Sequence, residues 1–145
     1  MTKKRKHYTI CPNCGAESVY CINCGWQSTG STPFSDWLRE QDELDSSRGF
    51  ITTDIDYFWR NYKTGEHMLI EEKRYMGTMD FSQEQSLKLM SDFLSKTPKY
   101  YGLYLIQFEK NSPEDGEIFV NHQKVTVNEL IKLLQFEKEV NINKY

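Results

Sequence analysis

Four cysteines near the N-terminus have the spacing of a metal site. They form two Cys-x-x-Cys-Gly knuckles, and the thiols belong to Cys11, Cys14, Cys21 and Cys24. Four thiolates from two such knuckles match the tetrahedral geometry that Zn²⁺ accepts. Because they leave no ligand position open for water, we expect a structural zinc ion rather than a catalytic one. An iron–sulfur cluster or a redox pair is the alternative interpretation.

A second group of residues combines carboxylates with a lysine. Asp54 and Asp56 lie two positions apart, as do Glu71 and Lys73, so each pair shares one face if its segment is a strand. If residues 62–65 form a four-residue loop, Asp56 opposes Glu71 and Asp54 opposes Lys73, with Cβ atoms about 5 Å apart. A bulge in the loop would shift this pairing by one residue, which leaves open the choice between the two aspartates.

Converging carboxylates of this kind predict a divalent cation. Two carboxylates at such a distance repel each other unless a cation lies between them. Mg²⁺ or Mn²⁺ accepts a few hard oxygen ligands and keeps several waters. The bound ion lowers the pKa of its water and offsets the charge of a phosphate, and a neighbouring lysine stabilises the extra negative charge. We therefore predict that Asp56 and Glu71 bind Mg²⁺ and that Lys73 is catalytic, with Asp54 as the alternative first carboxylate.

The elements that must position these residues follow from hydrophobic periodicity and turn chemistry. We predict helices at 34–44, capped by Ser35, and at 82–96, capped by Ser82, and a last helix capped by Thr126. Strands are predicted at 50–60, 67–75, 100–109 and, as a short strand or hairpin, 118–125. The aromatic residues Tyr57, Phe58 and Trp59 are expected in the core. This order of elements is typical of an α/β sandwich.

An aspartate followed by Glu-x-Lys, on a hairpin after a helix, resembles the PD-(D/E)XK nuclease superfamily. Asp56, or Asp54, matches the first motif, without the preceding proline, and residues 71–73 match the second. The following FSQEQSLKLMSDFL and YYGLYLIQF resemble the helix and strand of resolvase-like members, which often place a glutamine in that helix; Gln83 or Gln85 stands there. The resemblance implies a restriction-endonuclease-like mixed sheet flanked by helices, and metal-dependent cleavage of DNA.

The N-terminal stretch CPNCGAESVYCINCG resembles the short zinc-ribbon family, whose members bind nucleic acid or protein, or cap a neighbouring domain. We accordingly divide the chain into a basic arm at 1–7, a zinc ribbon at 8–27, a linker at 28–33 and a nuclease-like domain at 34–145. The small-residue run STGSTP is typical of such a boundary.

The charge distribution favours a polyanionic partner. The net charge is −3, yet the first 30 residues carry four basic side chains against Glu17 alone. A basic arm ahead of an acidic body indicates contact with DNA, or with RNA, although a solvated tail is an equal alternative. A homodimer would double the contact surface.

We also expect a cytoplasmic protein without a membrane span. No apolar run approaches the roughly 20 residues that cross a bilayer, and no apolar segment follows the basic start. A catalytically inactive adaptor with a nuclease-like fold is the alternative to an enzyme.

Overall fold

The computed structural model describes Thr9–Ile10, Glu17–Ser18 and residues 33–145. The chain forms two compact units, Met1–Thr52 and Thr53–Tyr145. The four cysteines, the basic arm and the linker up to position 32 lie outside the described residues, so the zinc site and these boundaries stay predictions. Within the described part, no helix is long and apolar enough to cross a membrane.

The first unit holds short elements. Strands β1 (Thr9–Ile10) and β2 (Glu17–Ser18) pair in an antiparallel manner, and helix α1 spans Pro33–Glu40. The helix begins at Pro33, whose fixed φ suits a first helical position, so the predicted cap at Ser35 is wrong. It ends four residues earlier than the predicted 34–44 and is followed by two 3₁₀ turns, Asp42–Leu44 and Ser46–Arg48.

The predicted strand at 50–60 is wrong over most of its length. The Asp45 side chain accepts a hydrogen bond from Ser47 N at 2.9 Å, and Gly49 follows in a left-handed conformation (φ 99°). These contacts form the 3₁₀ turn before position 50, and residues 50–56 after it form neither helix nor strand. Only Tyr57–Arg60 is a strand.

The second unit is an α/β structure built on a five-stranded mixed sheet. Its strands are β3 (Tyr57–Arg60), β4 (His67–Lys73), β5 (Tyr100–Phe108), β6 (Ile118–Val120) and β7 (Gln123–Val125), in that spatial order. The β4–β5 pair is parallel and the other pairs are antiparallel. Helix α2 (Phe81–Leu94) makes the crossover that a parallel pair requires, and helix α3 (Val127–Leu134) follows the sheet.

The β3–β4 hairpin has the predicted register. Tyr57 pairs with Ile70 and Arg60 with His67, and the Asn61 N–H donates to the Glu66 carbonyl oxygen at 2.9 Å. The expected burial of the three aromatic residues of β3 is wrong, because all four of its residues are exposed. The cause is that β3 is the edge strand of the sheet.

Each face of the sheet has its own apolar cluster. One face buries alternate strand residues such as Met68 and Phe108 together with Leu130 and Leu133 of α3. On the other face, Leu69 and Leu103 pack against Leu87, the only buried residue of α2. Because side chains alternate along β4, Glu71 and Lys73 share the face that α2 covers.

The N-cap of helix α2 lies two residues earlier than predicted. Asp80, not Ser82, is its N-cap, and the Asp80 Oδ1 accepts a hydrogen bond from Gln83 N at 2.7 Å. We expect Asp80→Ala to lower the free energy of unfolding by about 1 kcal/mol. Ser82→Ala, in the exposed first turn, should change it by less than about 0.5 kcal/mol. Urea titrations of both variants measure the difference, and an equal loss would contradict the assignment.

The predicted cap at Thr126 is confirmed, with Glu129 completing a capping box.

Candidate active site

The candidate site is centred on a buried carboxylate, Glu71, near the end of β4. Its residue surface is 1% exposed. Its Oε1 lies 3.1 Å from the Lys73 ammonium and accepts a 2.6 Å hydrogen bond from Gln83 Nε2 of α2. Its Oε2 is buried and has no hydrogen-bond partner among the residues that the structure describes. One carboxylate oxygen of Glu71 therefore has two partners, whereas the other is available to bind a ligand.

Electrostatics at Glu71 oppose its ionisation. Burial is the main cause that raises the pKa of the Glu71 carboxyl, and the nearby negative charge of Asp56 raises it further. Hydrogen bonds from Lys73 and Gln83 act in the opposite direction without cancelling the effect of burial. A cation beside the two carboxylates would favour the ionised form.

The β3–β4 hairpin places Asp56 at the position opposite Glu71. It directly precedes β3, and the observed register continued by one residue places it opposite Glu71. Its Oδ2 accepts a 2.8 Å hydrogen bond from the backbone N–H of Glu72, so its position is fixed by β4 itself. Glu72 points to the other face, where it accepts a hydrogen bond from the Tyr57 hydroxyl.

The structure thus brings together Asp56, Glu71 and Lys73, but not Asp54. Asp54 is exposed in the irregular segment before β3; it makes no hydrogen bond or ion pair within the described ranges. Its predicted position opposite Lys73 requires a strand that is not formed there. The geometry therefore favours Asp56 as the first carboxylate, and Gln83 rather than Gln85 as the glutamine of the helix.

One polar residue at the site, Gln107, was missed by the sequence reasoning. It pairs with Lys73 across the parallel β4–β5 ladder and is 3% exposed. Its Nε2 donates to the Gly77 carbonyl oxygen at 2.9 Å. The available signal was a glutamine inside the otherwise apolar run YLIQF.

The donor set fits a hydrated divalent cation. Across the described ranges, no three His, Cys, Asp or Glu side chains are grouped so as to hold a metal ion. An ion at this position would take carboxylate oxygens from Asp56 and Glu71 and fill its other positions with water or amide oxygens, as Mg²⁺ commonly does. The buried, unpaired Oε2 of Glu71 supports this fit, because an unsatisfied charged oxygen is costly to bury.

The raised pKa of Glu71 predicts that removing its charge stabilises the metal-free protein. Because the folded state binds this proton more tightly than the unfolded state, stability falls as pH rises through the ordinary carboxyl range toward the raised folded pKa, and stays reduced above it. At pH 7.5 in chelator, we expect Glu71→Gln to raise the free energy of unfolding by about 1 kcal/mol, with little gain at pH 4. Thermal unfolding at both pH values measures this effect.

Glu84→Gln is the control for this prediction, because we expect it to change the free energy of unfolding in the opposite direction. The Tyr145 hydroxyl, at 2.7 Å, and the Lys88 ammonium lower the pKa of the Glu84 carboxyl. Its ionised form therefore stabilises the folded state at neutral pH, and Glu84→Gln should reduce stability at pH 7.5. A loss of stability in Glu71→Gln as well would contradict the role given to burial.

Comparisons with known proteins add no family assignment. No family model matches the sequence, and no curated protein and no solved structure matches the chain.

Proposed function

We propose that this chain is a Mg²⁺- or Mn²⁺-dependent nuclease that hydrolyses phosphodiester bonds in DNA. The observation that carries the proposal is the buried Glu71 beside the Asp56 carboxylate: one of its oxygens is held by Lys73 and Gln83, and the other has no hydrogen-bond partner among the described residues. The proposal includes a restriction-endonuclease-like arrangement of the sheet and helices, for which the mixed sheet with a parallel crossover pair is the supporting feature.

Each residue of the cluster has a defined part in this chemistry. Asp56 and Glu71 would hold the ion, which supplies positive charge to the phosphate and makes water more acidic. Gln83 fixes the orientation of Glu71 through Oε1, and the Glu72 N–H fixes Asp56. The Lys73 side chain is 25% exposed, so its ammonium can meet the phosphate and stabilise the negative charge that develops there.

DNA binding would come mainly from the N-terminal part of the chain. Phosphate contacts supply most non-specific affinity, and the excess of basic residues lies in the arm at 1–7. In this proposal a Zn²⁺ ion held by the four cysteines folds the ribbon that presents the arm, as structural zinc does in small modules. Metal analysis of the purified chain tests whether zinc is bound. If the chain forms a homodimer, its phosphate-binding surface is doubled.

The second candidate is a catalytically inactive adaptor with the same fold. The exposed aromatic side chains of the edge strand are the observation that favours it. Tyr57 and Trp59 lie on one face of the sheet and Phe58 on the other, and neighbouring exposed apolar side chains such as Tyr57 and Trp59 are typical of protein-binding sites.

The experiment that separates the two candidates is a cleavage assay with the full chain. Duplex, branched and single-stranded DNA, and RNA, are incubated with Mg²⁺, with Mn²⁺ or with EDTA. Cleavage with the ions but not with EDTA supports the nuclease, and the preferred substrate separates DNA from RNA. Binding without cleavage of any substrate would favour the adaptor and reject the enzyme.

A further inference from the structure

The turn after β4 follows directly on the strand that carries Glu71 and Lys73 and is hydrogen-bonded to the end of β5. Tyr75 and Met76 both have positive φ (53° and 56°), a conformation that costs non-glycine residues energy. The Tyr75 N–H donates to the Lys110 carbonyl oxygen and the Met76 N–H to that of Phe108. The turn is thereby tied to the end of β5, directly beyond Lys73.

The Gln107 side chain is hydrogen-bonded to this turn through its amide nitrogen, while its amide oxygen has no partner among the described residues. Its Nε2 is used by the Gly77 carbonyl, which fixes the orientation of the amide. Its Oε1 is buried and accepts no hydrogen bond within the described part of the chain. Since Gln107 pairs with Lys73 and shares its sheet face, the free Oε1 and the free Oε2 of Glu71 belong to neighbouring strands on one face.

We infer that Gln107 is a positioning residue of the cation site, whose Oε1 accepts a hydrogen bond from a water molecule on the ion held by Asp56 and Glu71. This inference builds on the proposed function. Two carboxylates fill only part of the coordination shell of Mg²⁺, so several waters remain. The protons of a water beside the buried side chains of Glu71 and Gln107 need acceptors, and such outer partners contribute about 10–100-fold to metal affinity or activity.

Two variants separate an acceptor from a simple support of the turn. Gln107→Met removes both the acceptor and the bond to Gly77, whereas Gln107→Glu removes that bond but keeps an acceptor. If Oε1 acts as an acceptor, calorimetric titration with Mn²⁺ will show binding about 10-fold weaker in Gln107→Met and undiminished in Gln107→Glu. Equal weakening in both variants would overturn the inference in favour of turn support alone.

Gln85→Glu is the matched control for added charge, because Gln85 is an exposed residue of α2. If Gln107→Glu and Gln85→Glu both raise Mn²⁺ affinity above wild type by the same factor, the gain is general electrostatics and does not support the inference. If Gln107→Met does not fold, the inference stands only if Gln107→Glu binds Mn²⁺ more tightly than Gln85→Glu, and it fails if the two bind equally. Unchanged Mn²⁺ affinity in folded Gln107→Met overturns the inference. If the wild-type chain still cleaves DNA in that case, the proposed function remains intact. Absence of both Mn²⁺ binding and cleavage in wild type rejects both.

Discussion

In the nuclease proposed above, Glu71→Gln will reduce Mg²⁺-dependent DNA cleavage by about a thousandfold. The substitution keeps the size of the side chain and an acceptor for Gln83 and Lys73, but removes the negative charge that would hold the ion. Stabilisation of transition-state charge by a bound metal contributes several kcal/mol, and about 4 kcal/mol corresponds to three orders of magnitude in rate. Single-turnover assays at saturating enzyme measure the rate of the chemical step directly.

The neighbouring Glu72→Gln is the matched control. Glu72 carries the same charge one residue away, but its carboxylate binds the Tyr57 hydroxyl on the opposite face of the sheet. Its bond to Asp56 uses the backbone N–H, which the substitution preserves. Glu72→Gln should therefore cleave at within about threefold of the wild-type rate. Equal activity of wild type and Glu71→Gln would show that the cleavage does not use this cluster.

Leu87→Ala will destabilise the second unit by about 3 kcal/mol. Leu87 is the only buried residue of α2 and packs against Leu69 and Leu103. Leucine-to-alanine changes at such positions cost about 2–5 kcal/mol, depending on how far the cavity collapses. Gln83 lies one helical turn before Leu87, so loosened docking of α2 should also lower activity at temperatures where the variant remains folded. Urea denaturation measures the first effect and the cleavage assay the second.

Leu89→Ala tests whether the effect belongs to the buried contact. Leu89 lies on the same helix and is 59% exposed, so its truncation removes little buried apolar surface. We expect a change within about 0.5 kcal/mol. Similar losses of stability in Leu87→Ala and Leu89→Ala would show that the buried contact of Leu87 is not what holds α2 against the sheet.

The hairpin could be predicted because its determinants are local. A four-residue loop together with side-chain alternation sets the register, and this places Asp56 opposite Glu71. The strand predicted at 50–60 is wrong over residues 50–56, because aromatic and β-branched content alone does not distinguish a strand from an irregular segment. The exposure of Trp59 follows from the edge position of β3 in the five-stranded sheet, which composition does not report.

The site was predictable to the same extent. Glu71 and Lys73 lie two residues apart on one strand, so their contact follows from alternation alone. The contact of Gln83 with Glu71 requires the docking of α2. The position of Gln107 requires the parallel pairing of β4 with β5, which brings it opposite Lys73 with 33 residues between them along the chain (107 − 73 − 1). Such non-local contacts have no periodic signature in the sequence.

The parallel pairing of β4 with β5 also constrains the order in which the molecule folds. A hairpin such as β3–β4 closes within about 1–10 μs, whereas a parallel pair must wait until the loop containing α2 has closed, which makes it a slower step. Asp56 and Glu71 can therefore meet early, before Gln83 and Gln107 arrive. The complete cluster becomes available only at the end of folding, so partly folded chains would carry the carboxylates without the residues that orient them.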